Sequence, residues 1–191
     1  ISARTLEVTA LAEIAAVVGS LLPGCGLAVE RVGESGHDSA TPQFVSEPGY
    51  EHAWLNPDNT ETSAEDVLSA PAVKLLVRQS SMTSGAMAAA ITAHVEHLAD
   101  VTFSTDNGLI ELSAPGVSKA SGLIEVGRTL GIDAADMVAF GDMPNDVPML
   151  TAVGHGVAMS NAHPDAIAAA DEVTATNVDD GVARVVERWW S

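Results

Sequence analysis

Basic residues, aromatic residues and cysteine are all scarce in this 191-residue chain, and each scarcity excludes a class of function. Eight lysines and arginines stand against 26 aspartates and glutamates, which gives a formal net charge of −18. Such a chain repels polyanions, so we expect neither nucleic acid nor an anionic membrane surface as a partner. Only 4% of the residues are aromatic, which argues against an aromatic-rich binding module. The single cysteine, Cys25, excludes an intramolecular disulfide and a thiolate metal cluster, and it makes the cytoplasm the default compartment.

Long hydrophobic runs are also missing. The longest unbroken apolar run, Ala86 to Ile91, is far shorter than the roughly 18 to 20 residues of a membrane span. No basic segment precedes an apolar stretch as it would in a signal peptide. Apolar residues nevertheless make up 47% of the chain, mostly alanine, valine and leucine, which suits helices packed on a valine-rich sheet. We therefore expect a soluble protein of one large domain or two small ones.

Two kinds of pattern meet near residue 115. In residues 1–115, helices, strands and a hairpin signal at Asp106-Asn107-Gly108 predict an α+β module. In residues 116–191, helices alternate with short apolar strands, which is typical of a parallel sheet. The predicted helices cover about 11–22, 63–70, 84–97, 118–130, 146–151, 164–170 and a segment from 181 onward, and the predicted strands cover 27–32, 73–78, 101–104, 109–113, 137–140 and 156–159. Residues 33–62 are predicted to form a long loop with short elements.

The segment after the strand that ends at Phe140-Gly141 is the richest in chemistry. Asp142, Asn145 and Asp146 follow this strand directly. Ligands of open α/β sheets bind beyond the carboxyl ends of the strands, and hard oxygen donors suit Mg²⁺ better than zinc. The alternative is that Asp142 begins a turn and Asp146 caps the next helix, and the spacing alone does not decide between the two interpretations.

Lys119 is the second candidate. It lies at the predicted start of a helix, where a cation is disfavoured by the helix dipole and where a site that neutralises phosphate would justify it. The alternative is a solvated surface lysine, an interpretation weakened by the presence of only one other lysine, Lys74.

Taken together, these segments resemble the haloacid dehalogenase-like (HAD) superfamily of phosphatases, specifically its Cof-type branch. Four segments carry the resemblance in the same order and spacing: Gly116–Lys119, Gly141–Asp146 with Met149, Gly156–Ala162 and Asp180–Ala183. It implies an α/β fold in which residues 116–191 form the C-terminal half of a Rossmann-like HAD core. Residues 1–115 would then form the α+β cap domain that this branch inserts into its core.

The resemblance implies Mg²⁺-dependent hydrolysis of a small phosphorylated metabolite through an aspartyl-phosphate. Lys119 would be a catalytic residue that stabilises the negative charge of the phosphoryl group and of the nucleophile. Asp142 would bind Mg²⁺, and Asn145 and Asp146 would orient that site. Asn161 would line the site, with a helix cap before the next helix as an equal alternative.

One family motif is missing. In the family, an Asp-x-Asp-Gly-Thr motif supplies the nucleophile and the general acid, and this sequence contains no Asp-x-Asp anywhere. The nucleophile is therefore unknown, and we expect a part of a longer phosphatase that is inactive alone and whose partner is the missing N-terminal segment of the core. The alternative is a non-catalytic binding or regulatory protein that keeps the cap and has lost the first motif.

Other histidines and aromatic residues have weaker signals. His94 and His97 are one helical turn apart but have no third ligand nearby in the sequence, so we expect surface residues. His155 and His163 are predicted to be structural, and Trp189-Trp190 to be a packing or contact surface. By the resemblance alone, four residues of the cap would contact the leaving group: His37, Tyr50, His52 and Trp54.

Overall fold

A computed structural model of the protein describes residues 3–33, 43–53 and 57–189. The chain divides into two compact units, one ending at Val117 and one beginning at Ser118, close to the predicted boundary after residue 115. Strands and helices mix in both units, so the predicted α/β class is confirmed. The assignment of the two units as a cap and half of a core stays a prediction.

The first unit is built on a six-stranded sheet. Its elements are α1 (Val8–Leu21), β1 (Gly26–Glu30), β2 (Phe44–Ser46), β3 (Asn59–Glu61), α2 (Ala64–Val67), β4 (Lys74–Arg78), α3 (Ser84–Val95), β5 (Asp100–Thr102) and β6 (Leu109–Ser113). The strand order is β3-β2-β1-β4-β6-β5, and all neighbours pair antiparallel except β2 and β3. The strands β2 and β3 lie in the segment predicted to be a loop with short elements.

The main core of the first unit lies between α1, α3 and one face of this sheet. Leu11, Ile14 and Val18 recur at helical spacing on α1, and all three are buried, as their period predicts. The same cluster takes alternate residues of the central strands, because successive strand side chains point to opposite faces. The residues that α3 and the strands contribute include Met87, Ile91, Val95, Leu27, Val29, Leu75, Val77, Ile110 and Leu112.

The second unit contains a three-stranded parallel sheet. Its elements are α4 (Lys119–Leu130), β7 (Val138–Gly141), α5 (Val147–Ala152), β8 (His155–Met159), α6 (Pro164–Ala169), β9 (Glu172–Thr174) and α7 (Gly181–Val186). Short 3₁₀ helices cover Ala134–Asp136, Pro144–Asp146, Asn177–Asp179 and Glu187–Trp189. The strand order is β7-β8-β9 with both pairs parallel, as the alternating pattern predicts. Strand β9 lies in a segment for which the sequence predicts no strand.

Helix α4 begins and ends where its sequence predicts. Ser118 is the N-cap, and its hydroxyl accepts a hydrogen bond from the backbone N–H of Ser121, whose own hydroxyl accepts from Ser118 N–H. Gly131 ends the helix in the left-handed conformation at φ 70°, which a glycine adopts without steric cost. This placement fixes Lys119 in the first turn of α4.

No helix in the described part of the chain is both long enough and apolar enough to cross a membrane.

Candidate functional site

Most of the predicted site residues follow the carboxyl ends of the strands in the second unit. β7 ends at Gly141 and leads into Asp142, and β8 ends at Met159 shortly before Asn161. Because β7, β8 and β9 run parallel, these segments lie at the same edge of the sheet. Ligands of open α/β sheets bind at this edge, so the fold places the predicted residues where such a ligand would lie.

The buried carboxylate of Asp146 organises the loop after β7. Asp146 is 3% exposed, and its Oδ2 accepts hydrogen bonds from the backbone N–H of Asp142 at 2.9 Å and of Met143 at 3.0 Å. These bonds close the short 3₁₀ turn Pro144–Asp146, and the side chain makes no capping hydrogen bond to α5. Asp146 therefore occupies the N-cap position of α5, as in the alternative interpretation, but its side chain caps the preceding 3₁₀ turn and not α5.

Lys119 reaches the same carboxylate from α4. Its Nζ lies 2.5 Å from Asp146 Oδ1, so the amine and the buried acid form an ion pair. The Lys119 side chain is 50% exposed, whereas that of Asp146 is almost fully covered. An amine held at this edge by a buried acid still presents its remaining N–H donors to solvent, and these donors suit an anion.

Gly141 makes the close approach of Asp146 possible. A Cβ atom at position 141 would lie 2.5 Å from the Cβ and 2.9 Å from the Cγ of Asp146, and real Cβ atoms do not come so close. The glycine at the end of β7 is therefore required by the packing of the loop that follows it.

Asp142 and Asn145 supply the oxygen atoms that fit a magnesium ion. The structure describes no hydrogen bond or ion pair to the Asp142 carboxylate, while the Asp142 backbone is held at both ends, by Asp146 and by the N–H of His163 at 2.7 Å. The Oδ1 atom of Asn145 is buried and has no hydrogen-bond partner among the described residues. Mg²⁺ typically takes one or two carboxylates and completes its shell with water and phosphate oxygens.

The oxygen donors of Asp142 and Asn145 are of the hard type that Mg²⁺ prefers. Within residues 3–33, 43–53 and 57–189, no group of three or more histidine, cysteine, aspartate or glutamate side chains could hold a metal ion by itself.

Asn161 is paired with a residue that the sequence did not single out. Its Nδ2 donates to Asn177 Oδ1 at 3.1 Å, and the backbone N–H of Asn177 donates to Asn161 Oδ1 at 3.4 Å. The N-cap of α6 is His163, whose Nδ1 accepts from the N–H of Asp165 at 3.2 Å, so the helix-cap interpretation of Asn161 is wrong. Asn177 follows β9, a strand that no hydrophobic run in the sequence predicts, so sequence reasoning missed it.

Two further histidines among the described residues, His155 and His97, lie beside glutamates. His155 begins β8, at the amino end of the sheet, where its Nε2 lies 2.9 Å from Glu172 Oε2. Glu172 also accepts from Arg188, and these two hydrogen bonds lower the pKa of its carboxyl group. His97, in the first unit, lies 3.4 Å from Glu13 and belongs to no metal-binding group in the part of the chain that is described.

Two of the predicted leaving-group residues form an aromatic cluster in the first unit. The rings of Tyr50 and His52 are 5.0 Å apart and edge-on, and Phe44 lies edge-on to Tyr50 at 6.2 Å and tilted to His52 at 5.8 Å. Burial raises the pKa of the Tyr50 phenol. The other two, His37 and Trp54, lie outside the described residues, as does Trp190.

Comparison with known proteins identifies the family. The model of the haloacid dehalogenase-like hydrolase family matches residues 2–186. The chain is 41% identical over 80 residues to a 5-amino-6-(5-phospho-D-ribitylamino)uracil phosphatase of Bacillus subtilis, a match that covers 42% of this chain and 32% of that protein. It is 41% identical over 81 residues to a phosphoglycolate phosphatase of Methanoculleus marisnigri, covering 42% of this chain and 35% of that protein. The matches thus span about a third of the length of these relatives.

Among solved structures, the chain resembles a sugar phosphatase of HAD subclass IIB. The TM-score is 0.70 at 23% sequence identity, and the superposition covers 98% of this chain and 68% of that one. At this identity the likeness establishes the fold. It extends over both units of the chain, including the six-stranded sheet for which the sequence resemblance offered no motif.

Proposed function

The chain belongs to the haloacid dehalogenase-like hydrolases, and from this membership we propose that it carries the phosphate- and magnesium-binding half of a Cof-type phosphatase. The substrate would be a small phosphorylated metabolite, because the relatives named above act on two such compounds. The observation that carries the proposal is the ion pair between Lys119 and the buried Asp146 at the carboxyl edge of the parallel sheet.

In this proposal each residue at the edge has a separate task. The Lys119 amine, held by Asp146, contacts the phosphoryl oxygens and balances their negative charge. Asp146 keeps the amine in place and shapes the loop that presents Asp142. Asp142 would hold the metal ion through its carboxylate, Asn145 would orient that site, and the Asn161–Asn177 pair joins the loops after β8 and β9. When bound, Mg²⁺ neutralises charge on the phosphoryl group.

The nucleophile is outside this set. The sequence has no Asp-x-Asp, so we derive no covalent step from its residues and propose that the chain alone binds phosphate without hydrolysing its esters. The natural partner in this proposal is the missing N-terminal segment of the core. Strand β7 is an outermost strand of the described sheet and pairs there with β8 alone. In this proposal a further strand would pair with its other side. A cytoplasmic location is part of the same proposal.

Binding and turnover test the two halves of the proposal separately. Calorimetry with Mg²⁺ and orthophosphate should show binding to the chain, which Asp142→Asn and Lys119→Met should weaken. Asp136→Asn is the matched control, because Asp136 is an exposed acid of the same unit that precedes β7 at the opposite edge. Equal loss of binding in Asp136→Asn and Asp142→Asn would contradict the assignment of the site.

Turnover is measured with p-nitrophenyl phosphate and Mg²⁺. We expect none from the 191-residue chain, because no residue in it matches the family's nucleophile. Clear turnover, abolished by Asp142→Asn, would refute the proposed inactivity while keeping the site.

The second candidate function is a non-catalytic binding or regulatory protein. The absence of Asp-x-Asp is the observation that favours it. The source reading frame distinguishes the two candidates: an upstream strand that ends in Asp-x-Asp supports the phosphatase, and an upstream sequence without one supports the binding protein.

A further inference from the structure

The turn before β6 contains a chemically labile dipeptide, Asn107-Gly108. Among the six asparagines of the chain, at positions 56, 59, 107, 145, 161 and 177, Asn107 alone precedes a glycine. Asparagine deamidates when the backbone nitrogen of the next residue attacks the side-chain amide carbon. Glycine allows this attack most readily, because it has no side chain to obstruct the approach.

The fold requires the glycine of this pair. Gly108 has φ 84°, and a Cβ atom there would lie 2.0 Å from the carbonyl oxygen of Gln79 and 2.7 Å from that of Met82. Its own carbonyl accepts a hydrogen bond from Gln79 N–H at 2.8 Å. Position 108 therefore cannot take a larger residue that would slow the reaction.

The attacking nitrogen is engaged in the folded chain. Gly108 N–H donates to the Oγ of Ser84 at 3.1 Å, and the neighbouring Leu109 N–H donates to the same oxygen at 3.0 Å. Ser84 is the first residue of α3 and is fully buried, so this oxygen is not shared with solvent. A nitrogen whose hydrogen points into a buried acceptor is neither deprotonated nor turned toward the side chain of Asn107.

The side-chain amide of Asn107, whose carbon atom is attacked, is also held by hydrogen bonds. Asn107 Oδ1 accepts from Thr105 Oγ1 at 2.7 Å and from Arg78 Nη1 at 3.3 Å, and the same Nη1 donates to the Asn107 main-chain carbonyl. In addition, Asp106 Oδ1 accepts from the N–H of Gly85 at 3.0 Å, which joins the turn to the start of α3.

We propose that Asn107 is a modification site by spontaneous deamidation and that the buried hydroxyl of Ser84 controls its rate. In the reaction, the Gly108 nitrogen loses its proton and forms a bond to Asn107 Cγ. The Cγ–Nδ2 bond breaks, and Nδ2 takes up a proton and leaves as ammonia, so that a cyclic imide remains. Water then opens the imide at either carbonyl, which gives aspartate or isoaspartate. No atom changes its oxidation state, and water is the sole co-reactant.

The two products differ in what they do to the hairpin. Aspartate keeps an oxygen in the place of Oδ1, so the contacts with Thr105 and Arg78 persist and the second gains charge. Isoaspartate lengthens the backbone by one carbon atom immediately before Gly108, whose neighbour Leu109 pairs with Arg78 across the strands. The isoaspartate product therefore disrupts the register of β4 and β6.

The test follows deamidation in the whole chain with mass spectrometry. Trypsin cleaves after Arg78 and Lys119, and in the peptide between them Asn107 is the one asparagine. At mildly alkaline pH, we expect the folded chain to deamidate at 107 about tenfold or more slowly than the chain unfolded in urea, because only the opened fraction reacts. Equal rates in the two states would overturn the proposal.

The variant Ser84→Ala tests the controlling residue. We expect it to deamidate several-fold faster than the unsubstituted chain while its circular dichroism stays that of a folded protein. Ser81→Ala is the matched control, since Ser81 is exposed in the turn before α3, and its rate should not change. If Ser84→Ala deamidates no faster than Ser81→Ala, Ser84 does not control the reaction.

Hydrogen exchange of the unsubstituted chain gives a second measurement, which holds even if Ser84→Ala fails to fold. The Gly108 amide should be protected as strongly as an amide within a strand. An amide that exchanges as fast as those of exposed turns would overturn the proposal.

Discussion

Gly141 shows how a single residue without a side chain shapes the candidate site. The Asp146 side chain occupies the space next to the α-carbon of residue 141, and Asp146 in turn holds Lys119 and two backbone N–H groups. A methyl group at position 141 must displace this buried acid. The loss would reach the Lys119 amine and the loop together, because Asp146 holds both.

We therefore expect Gly141→Ala to destabilise the second unit by about 1–3 kcal/mol, the usual cost of an overpacked site. Gly122→Ala is the matched control: Gly122 lies on α4 with nothing within 4 Å of a Cβ atom, so alanine should stabilise the helix by about 0.5–1 kcal/mol. Urea unfolding followed by circular dichroism measures both. Similar midpoints for the two variants would show that the loop accommodates the methyl group.

The sequence predicted the candidates Lys119, Asp142 and Asp146 but not how they are connected. Residue type and position at the end of an apolar strand were enough to place hard oxygen donors at the sheet edge. The burial of Asp146 was not predictable, because it depends on the missing side chain of Gly141 and on the direction of α4. The pairing of Asn161 with Asn177 joins residues 16 positions apart in two loops, so it cannot be predicted from local sequence patterns.

At the scale of elements, strands β1, β4 and β6 are joined across one face by an ion-pair network. Lys74 Nζ lies 2.7 Å from Glu111 Oε2 and 3.9 Å from Glu30 Oε2, and Glu111 is buried and also accepts from Ser104. Burial lowers the pKa of Lys74, but the hydrogen bond to Glu111 and the charges of both glutamates outweigh it, so the pKa is raised.

The stability that this network gives to the sheet should disappear in alkali. A raised pKa in the folded state means that the contribution is complete below the unfolded value of about 10.4 and is lost as the pH rises through the folded value. Lys74→Arg keeps its charge at that pH and should move the loss upward, whereas Lys74→Met should lack this part of the pH dependence. Urea midpoints measured across this range test the prediction. An identical alkaline profile in Lys74→Arg and the unsubstituted chain would contradict it.

The elements that the sequence failed to predict are the short strands. Glu172–Thr174 contains one apolar residue, Val173, which is 48% exposed, so no hydrophobic run marks β9. It is a strand because the longer β8 offers it a pairing edge. The long helices α1 and α4 were predictable, because the buried residues of α1 follow the helical period and α4 has a serine N-cap and a glycine C-cap.

At the scale of the whole molecule, the excess of acidic residues opposes folding. With a net charge of −18, the carboxylates repel one another more strongly when the chain is compact. Salt shortens the distance over which these charges interact, from about 30 Å at 0.01 M to about 8 Å at 0.15 M. We therefore expect the apparent Tm to rise between these concentrations of sodium chloride, measured by circular dichroism. Potassium chloride at equal ionic strength should have the same effect, and a Tm that falls with salt would show that attractive ion pairs dominate.

The rarity of lysine makes the chain easy to label. Lys74 and Lys119 carry the sole side-chain amines of the sequence, one in each unit. An acylating reagent thus has two targets. The Lys74 amine is paired with two glutamates, and the Lys119 side chain is half exposed beside Asp146. An occupant of the carboxyl edge would shield the second amine and leave the first as an internal reference, so the ratio of the two labelled peptides reports occupancy without any assay of turnover.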